Sequence, residues 1–321
     1  VSACPVTGFQ ENKMLLGLES FIPNYYALDH VHLEKKLDTK GDRHAFVIDT
    51  RQGQFVDKLT YPDRPETVVQ REVGVLDFLH TCQFPAPVPL KTIDGGWLAP
   101  FQERFVYLYH YIDGSSPAPN LDFYTRLGAT LARLHILPAG PDLVTSDNTP
   151  ANLFPGIKIF LGNIENAEHQ AYAQELMGYI DQFPDFKGLP CALSHTDPWF
   201  DNLVEDRERS LFLVDWDDTG ISYALLDVGY VIAHLCTFTP QDQEKWDITP
   251  RARIAWKPEW ALAFLTAYQN IRPLTPHEKD LLTDATLFNM IEYIQDWDNN
   301  TLIVDNYLRY QILKEQVKFL L

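Results

Sequence analysis

Leu193-Ser194-His195-Thr196-Asp197-Pro198-Trp199-Phe200-Asp201-Asn202-Leu203-Val204 is the stretch on which the reading of this chain turns. It contains His-x-Asp-x-x-x-x-Asn. A polar segment follows, Glu205 to Ser210, and then an apolar run, Leu211-Phe212-Leu213-Val214, that closes on Asp215. The two apolar segments are short and β-prone, so a hairpin is expected, with the loop before it and Asp215 after it at one end.

Phosphoryl transfer needs such a set of groups. A carboxylate orients the attacking hydroxyl and accepts its proton, while an amide oxygen and a second carboxylate hold the magnesium that bridges the nucleotide phosphates. Hard cations take oxygen ligands, which Asp and Asn supply. Asp197 is placed for the first task, and Asn202 and Asp215 for the second. His195 is expected to brace the loop by hydrogen bonding rather than touch substrate.

Working outward, the composition shifts at Asp113-Gly114-Ser115-Ser116-Pro117. This suggests an N-terminal nucleotide-binding lobe over 1–113 and a helical catalytic and acceptor-binding lobe over 114–321. Before the boundary, strands are expected at Val31–Leu37, Arg43–Asp49, Gln54–Thr60, Gly96–Pro100 and Glu103–Tyr111. A helix over Pro65–Thr81 carries Val68, Val69, Val73, Leu76 and Leu79 at helical spacing and ends at the Pro-rich run from Pro85. Beyond the boundary, Asn120 caps a helix bearing Leu127, Leu131 and Leu134, and Ala167–Phe183 reads as another. Thr275-Pro276-His277-Glu278 is a capping box expected to open a long helix towards Trp297. The fold class is α+β: a small antiparallel sheet lobe and a larger, mostly helical one.

The 321 residues include 26 Lys and Arg against 44 Asp and Glu, a net charge of −18. Such a chain is repelled by phosphate backbones and anionic lipid, so nucleic acid and membrane surfaces are not expected partners. No apolar run reaches the roughly 20 residues of a membrane span. Val1–Met14 has no basic segment leading into an apolar one. The scattered Cys4, Cys82, Cys191 and Cys236 form no Cys-x-x-Cys, which points to a reducing cytoplasm rather than a disulfide framework. The ten histidines show no zinc-ligand spacing.

The catalytic segment resembles the catalytic loop and metal-binding strand of the aminoglycoside phosphotransferase and choline kinase family, small-molecule kinases with a protein-kinase-like fold. Leu127-Gly128-Ala129-Thr130-Leu131-Ala132-Arg133-Leu134-His135 resembles the helix opening that family's large lobe. Tyr109-His110-Tyr111-Ile112-Asp113-Gly114 resembles its inter-lobe linker, and Ala224-Leu225-Leu226-Asp227-Val228-Gly229 the helix after the metal Asp. The resemblance implies that Asp227 supports the catalytic loop, that Tyr109 and Tyr111 lie along the nucleotide base, and that Gly41 falls in the nucleotide loop. It further implies ATP and magnesium. GTP stays open, because the family's linker contacts the base through backbone. Family kinases pair a strand Lys with a helix Glu. Lys58 shares a strand face with Val56, and Glu72 interrupts the apolar stripe between Val69 and Leu76, where an unpaired charge is costly. Lys35 and Glu66 are the fallback pair. Thr196 departs from the family, which commonly has Gly there, as do the bulky Pro198-Trp199-Phe200.

Glu292-Tyr293-Ile294-Gln295-Asp296-Trp297-Asp298 interleaves acidic and aromatic residues. Carboxylates pair with amines and aromatic faces attract cations. Glu292, Asp296, Trp297 and, with Asp218, Asp217 are therefore candidates for an acceptor site favouring an amine-bearing alcohol. The leading expectation is a kinase for a small polar alcohol, aminoglycoside-, choline- or homoserine-like. The rivals are a protein kinase-like enzyme, against which no Ala-Pro-Glu segment follows Asp215, and a non-catalytic nucleotide-binding module. The sequence leaves the oligomeric state open.

Overall fold

A computed structural model describes residues 8–37, 44–138, 145–237, 255–294 and 300–321. It divides into two compact units, residues 1–114 with 206–217, and residues 115–205 with 218–321. The first unit is built on α1 (Gly8–Tyr25), β1 (His32–Leu37), β2 (His44–Thr50), β3 (Gly53–Leu59), α2 (Glu66–Thr81), β4 (Pro89–Leu90), β5 (Ala99–Phe101) and β6 (Arg104–His110). The strands form an antiparallel sheet in the order β1-β2-β3-β6-β4, with β5 also paired to β6.

Residues 55–59 of β3 are all buried, so both faces of the sheet are covered. Phe55 and Leu59 join Leu18 and Ile22 of α1 and the following Tyr26 in one apolar cluster. Successive side chains point to opposite faces, so Lys58 faces the other way. It meets α2, whose buried stripe is Val69, Glu72, Val73, Leu76 and Leu79. α1 precedes the first element expected from the sequence, the strand from Val31. A strand is also expected over 96–100. There a turn closed by the Gly95 N–H on the Thr92 carbonyl (2.9 Å) and the Thr92 N–H on Gly96 (3.0 Å) delays β5 to Ala99.

After β7 (Gly114–Ser115), the second unit runs through α3 (Leu121–His135), α4 (Pro150–Gly162), α5 (Ala167–Asp181) and β8 (Cys191–Ser194). Next along the chain come β9 (Leu203–Asp206), then β10 (Leu211–Leu213), which falls in the first unit, and then, back in the second, β11 (Gly220–Tyr223) and α6 (Ala224–Tyr230), which continues into a π-turn over Val231–Leu235. The last helices are α7 (Pro258–Gln269), α8 (Pro276–Asp280), α9 (Leu282–Glu292) and α10 (Asn300–Gln316). Asn120 caps α3, its Oδ1 accepting the Phe123 N–H at 3.0 Å. The capping box at Thr275 and Glu278 is complete.

The helix it opens is shorter than expected. Leu281, with ψ near 5°, interrupts it, and buried Leu281 and Leu282 turn inward at the break before α9 resumes. Two glycines set helix spacing. A Cβ on Gly128 of α3 would lie 2.2 Å from the Phe264 carbonyl oxygen of α7, and one on Gly229 of α6 would lie 2.6 Å from the Ala285 carbonyl of α9. Among the described residues, no helix is long and apolar enough to cross a membrane.

Residues 206–217, which the sequence reading gave to the helical lobe, group with the first unit. The Leu213 N–H bonds the Pro85 carbonyl (3.2 Å), and Trp216 packs edge-on to Phe84, ring centroids 6.0 Å apart. The turn leading into β10 closes on Asp206, whose Oδ1 accepts the N–H groups of Glu208 and Ser210 at 2.9 and 2.7 Å.

Candidate active site

The first unit carries a buried charge cluster. Lys58 Nζ donates to Glu72 Oε1 at 3.0 Å and to Asp215 Oδ1 at 2.8 Å, and also to Asp217. Arg64, from the turn before α2, donates to Asp217 Oδ2 at 3.0 Å and lies 3.7 Å from Glu72 Oε2. The Tyr107 hydroxyl, from β6, donates to Glu72. Two cations thus face three carboxylates.

Burial alone would lower the Lys58 pKa, but Glu72, Tyr107, Asp217 and Asp215 outweigh it and hold the ammonium charged. For Glu72 burial dominates and pushes the carboxyl up to about 7 against the pull of Lys58. Asp217 is also buried, but Lys58 and Arg64 keep it far below the usual carboxylate range. Asp215 stands in the left-handed region, φ 61°, a strained backbone of the kind that gathers at functional sites. Asp217, expected at the acceptor, is instead held by Lys58 and Arg64. Tyr109 sits on β6 opposite Val56, and the Tyr111 N–H bonds the Gln54 carbonyl at 3.1 Å. Gly41 lies outside the described residues.

The second unit carries the loop between β8 and β9 that the sequence marks as the candidate catalytic loop. Asp227 of α6 is 1% exposed, and its carboxylate accepts the backbone N–H of His195 at 2.8 Å and of Thr196 at 3.0 Å. His135 of α3 adds a contact from Nε2 at 3.2 Å, with Nδ1 on the Tyr268 hydroxyl at 2.7 Å. Arg272 continues the chain, donating to the Tyr268 hydroxyl at 3.1 Å and to Glu278 at 2.8 Å. This brace holds Thr196 at φ 72°. A β-branched residue adopts that conformation only under external constraint. The Gly common in the family at this position fits the same backbone without strain.

The brace delivers Asp197. Asn202, in the 3₁₀ turn Phe200–Asn202, donates its Nδ2 to the Asp197 carbonyl and to Asp197 Oδ2, both at 2.9 Å. Its amide oxygen remains an acceptor for a cation. The Tyr230 hydroxyl donates to Asp197 Oδ1. Tyr230 did not figure in the sequence reading, although Asp227, Tyr230 and His234 at i, i+3 and i+7 announce one helix face. Arg64 carried no such signal. Glu292, at the end of α9, is 5% exposed and receives the Asn148 side-chain amide at 3.5 Å. It is therefore not part of a solvated helix end. Asp296 and Trp297 lie outside the described residues.

Among the described residues, no group of three or more His, Cys, Asp or Glu could by itself hold a metal ion. Magnesium bound with a nucleotide needs only one or two carboxylates beside the phosphates, and the side-chain oxygens that Asp215 offers in the first unit and Asn202 in the second are each of the hard type it takes.

Comparison with known proteins places the chain in a family. The model of the phosphotransferase enzyme family matches residues 40–278. A homoserine kinase of Polaromonas naphthalenivorans (strain CJ2) is 25% identical over 248 residues, 74% of this chain and 72% of that protein. The microcompartment-associated aminopropanol kinase aligns at TM-score 0.67 and 16% identity over 93% of this chain and 95% of its own. An amicoumacin kinase solved in complex with AMP-PNP, Ca2+ and Ami aligns at TM-score 0.63 and 14% identity over 96% and 93%. At such identities the structural likenesses speak for the fold. The family model spans well over half the chain, which therefore belongs to the phosphotransferase enzyme family.

Proposed function

We propose that the protein transfers the γ-phosphoryl group of ATP to the hydroxyl of a small amine-bearing alcohol of the homoserine or amino-alcohol type. The observation that carries the reading is the Asp197 carboxylate, held at both oxygens on a loop whose backbone Asp227 fixes. Asp197 orients the acceptor hydroxyl and takes its proton as the new O–P bond forms and the bond from the γ-phosphorus to the ADP oxygen breaks. Lys58 is assigned to nucleotide phosphate, and Asn202 and Asp215 to magnesium. Magnesium, when bound, neutralises charge developing on the phosphoryl oxygens. The amine on the acceptor is supported by the names of the homoserine and aminopropanol kinase relatives and by the acidic character of the chain.

A coupled ADP-release screen over homoserine, ethanolamine, choline, aminopropanol, aminoglycosides and neutral sugars tests the reading. An amine-bearing alcohol should give the highest kcat/KM. Asp197→Ala should abolish transfer while nucleotide binding persists, and Asp215→Ala should abolish transfer as well. Near-native turnover by Asp197→Ala removes the assignment.

A further inference from the structure

Asp197 has a rotational problem that its own backbone does not solve. The terminal torsion of an Asp side chain is broad and roughly two-fold, so a carboxylate on a fixed loop still turns. A base that must meet one hydroxyl in one orientation needs its two oxygens held separately. Asn202 holds Oδ2 at 2.9 Å. The partner of Oδ1 is the hydroxyl of Tyr230, the last residue of α6.

The fold builds this contact with some care. Asp227 binds the backbone of His195 and Thr196, and Tyr230, one turn later on the same face, reaches the side chain of the next residue along the loop. The helix then widens into the π-turn Val231–Leu235, a feature that gathers at functional sites. The turn packs His234 against Tyr230, the rings tilted by 43° with centroids 4.5 Å apart. Tyr293 packs edge-on to both, its ring centroid 6.2 Å from that of Tyr230 and 5.0 Å from that of His234. His234 is itself fixed by the Asn289 carbonyl at 3.1 Å. Tyr230 is 3% exposed, and burial, with Tyr293 and Asp197 beside it, raises its pKa well above that of an ordinary tyrosine. It therefore keeps its proton and acts as a donor. Burial likewise pushes His234 down to about 3, so a neutral ring backs the tyrosine.

We infer that Tyr230 is a positioning residue for phosphoryl transfer, its hydroxyl and the Asn202 amide together locking the orientation of the Asp197 carboxylate. The inference rests on the role proposed for Asp197. The lock does not block the base. A carboxylate offers about four acceptor positions and the two donors take two, leaving room for the acceptor hydroxyl.

Tyr230→Phe tests it, because it removes one oxygen and keeps the ring that packs on His234 and Tyr293. Steady-state kinetics on the best acceptor of the screen, nucleotide binding by calorimetry and thermal melting are measured for wild type, Tyr230→Phe and Asp197→Ala. Tyr230→Phe should lower kcat by about 10- to 100-fold, the scale of a misplaced catalytic group, with the KM of ATP and the melting temperature close to wild type. A kcat within about twofold of wild type overturns the inference, and so does a loss of kcat that tracks weakened nucleotide binding and lowered melting, which a packing defect would produce. Wild-type chain without transfer to any acceptor overturns the function reading and this inference together. Active wild type with equally active Tyr230→Phe overturns this inference alone.

Discussion

Asp57 should make the stability of the first unit fall as pH rises. It lies on β3 beside Lys58 but on the opposite face, the one that packs Phe55 and Leu59 against α1. It is 0% exposed, neither carboxylate oxygen has a hydrogen-bond partner, and burial alone raises its pKa from 3.8 to about 7. The buried acid thus binds its proton more tightly folded than unfolded. Its contribution is most favourable below the unfolded pKa and is lost as pH rises through the folded one.

Each pKa unit is worth about 1.4 kcal/mol, so the full penalty is about 4 kcal/mol, of which about 3 kcal/mol accrues between pH 5 and pH 8. That is large beside a typical stability of about 5–15 kcal/mol. Asp57→Asn keeps the shape and cannot ionise. Urea unfolding at a series of pH values, followed by tryptophan fluorescence, should show the variant gaining on wild type by roughly that amount between pH 5 and pH 8. Parallel pH profiles for the two proteins would refute the reasoning, because they would mean that the folded chain hydrates or pairs this carboxylate.

Two further outcomes follow from packing and charge. Gly229→Ala should lower the melting temperature by several degrees, a cost of about 1–3 kcal/mol, because its Cβ would stand 2.6 Å from the Ala285 backbone; an unchanged melting curve would mean that α6 and α9 separate easily. Lys58→Met should destabilise by about 3–5 kcal/mol by stranding buried carboxylates, and adding Glu72→Met should recover part of that loss; simple additivity in the double variant would show that the two side chains do not interact.

Much of the first unit was legible because β3 and α2 carry a conflict that only pairing resolves. Lys58 and Glu72 each sit among apolar neighbours at the period of their own element, and a buried charge must find its opposite. Asn120 and the box at Thr275 and Glu278 were legible for a local reason, since a cap is chemistry between residues three apart. What escaped depends on distant partners. The apolar residues of α1 gain meaning only from the sheet face they cover. The break at Leu281 answers to burial of two consecutive leucines, which no cap announces. Arg64 is one polar residue in Pro62-Asp63-Arg64-Pro65 with no pattern around it, and only the placement of Asp217 makes it part of the cluster.

That placement of Asp217 also bears on how Lys58 can work. An ammonium has three donors, and in this structure Glu72, Asp215 and Asp217 take them. If Lys58 holds nucleotide phosphate as proposed, a phosphate oxygen would have to replace one carboxylate. The side chains of Glu72 and Asp217 are 3% and 6% exposed and carry further bonds from Tyr107 and Arg64, whereas that of Asp215 is 34% exposed. Asp215 is the partner that Lys58 can give up at least cost. In the proposed reaction Asp215 is also the carboxylate assigned to magnesium. In that reaction, release of Asp215 from Lys58 would free a donor for phosphate and a carboxylate able to hold the cation. Glu72 and Asp217 meanwhile keep the ammonium in place. On the proposed reading, the acidic crowd around Lys58, which at first sight would repel a nucleotide, would divide into two buried supports, Glu72 and Asp217, and one more exposed ligand, Asp215.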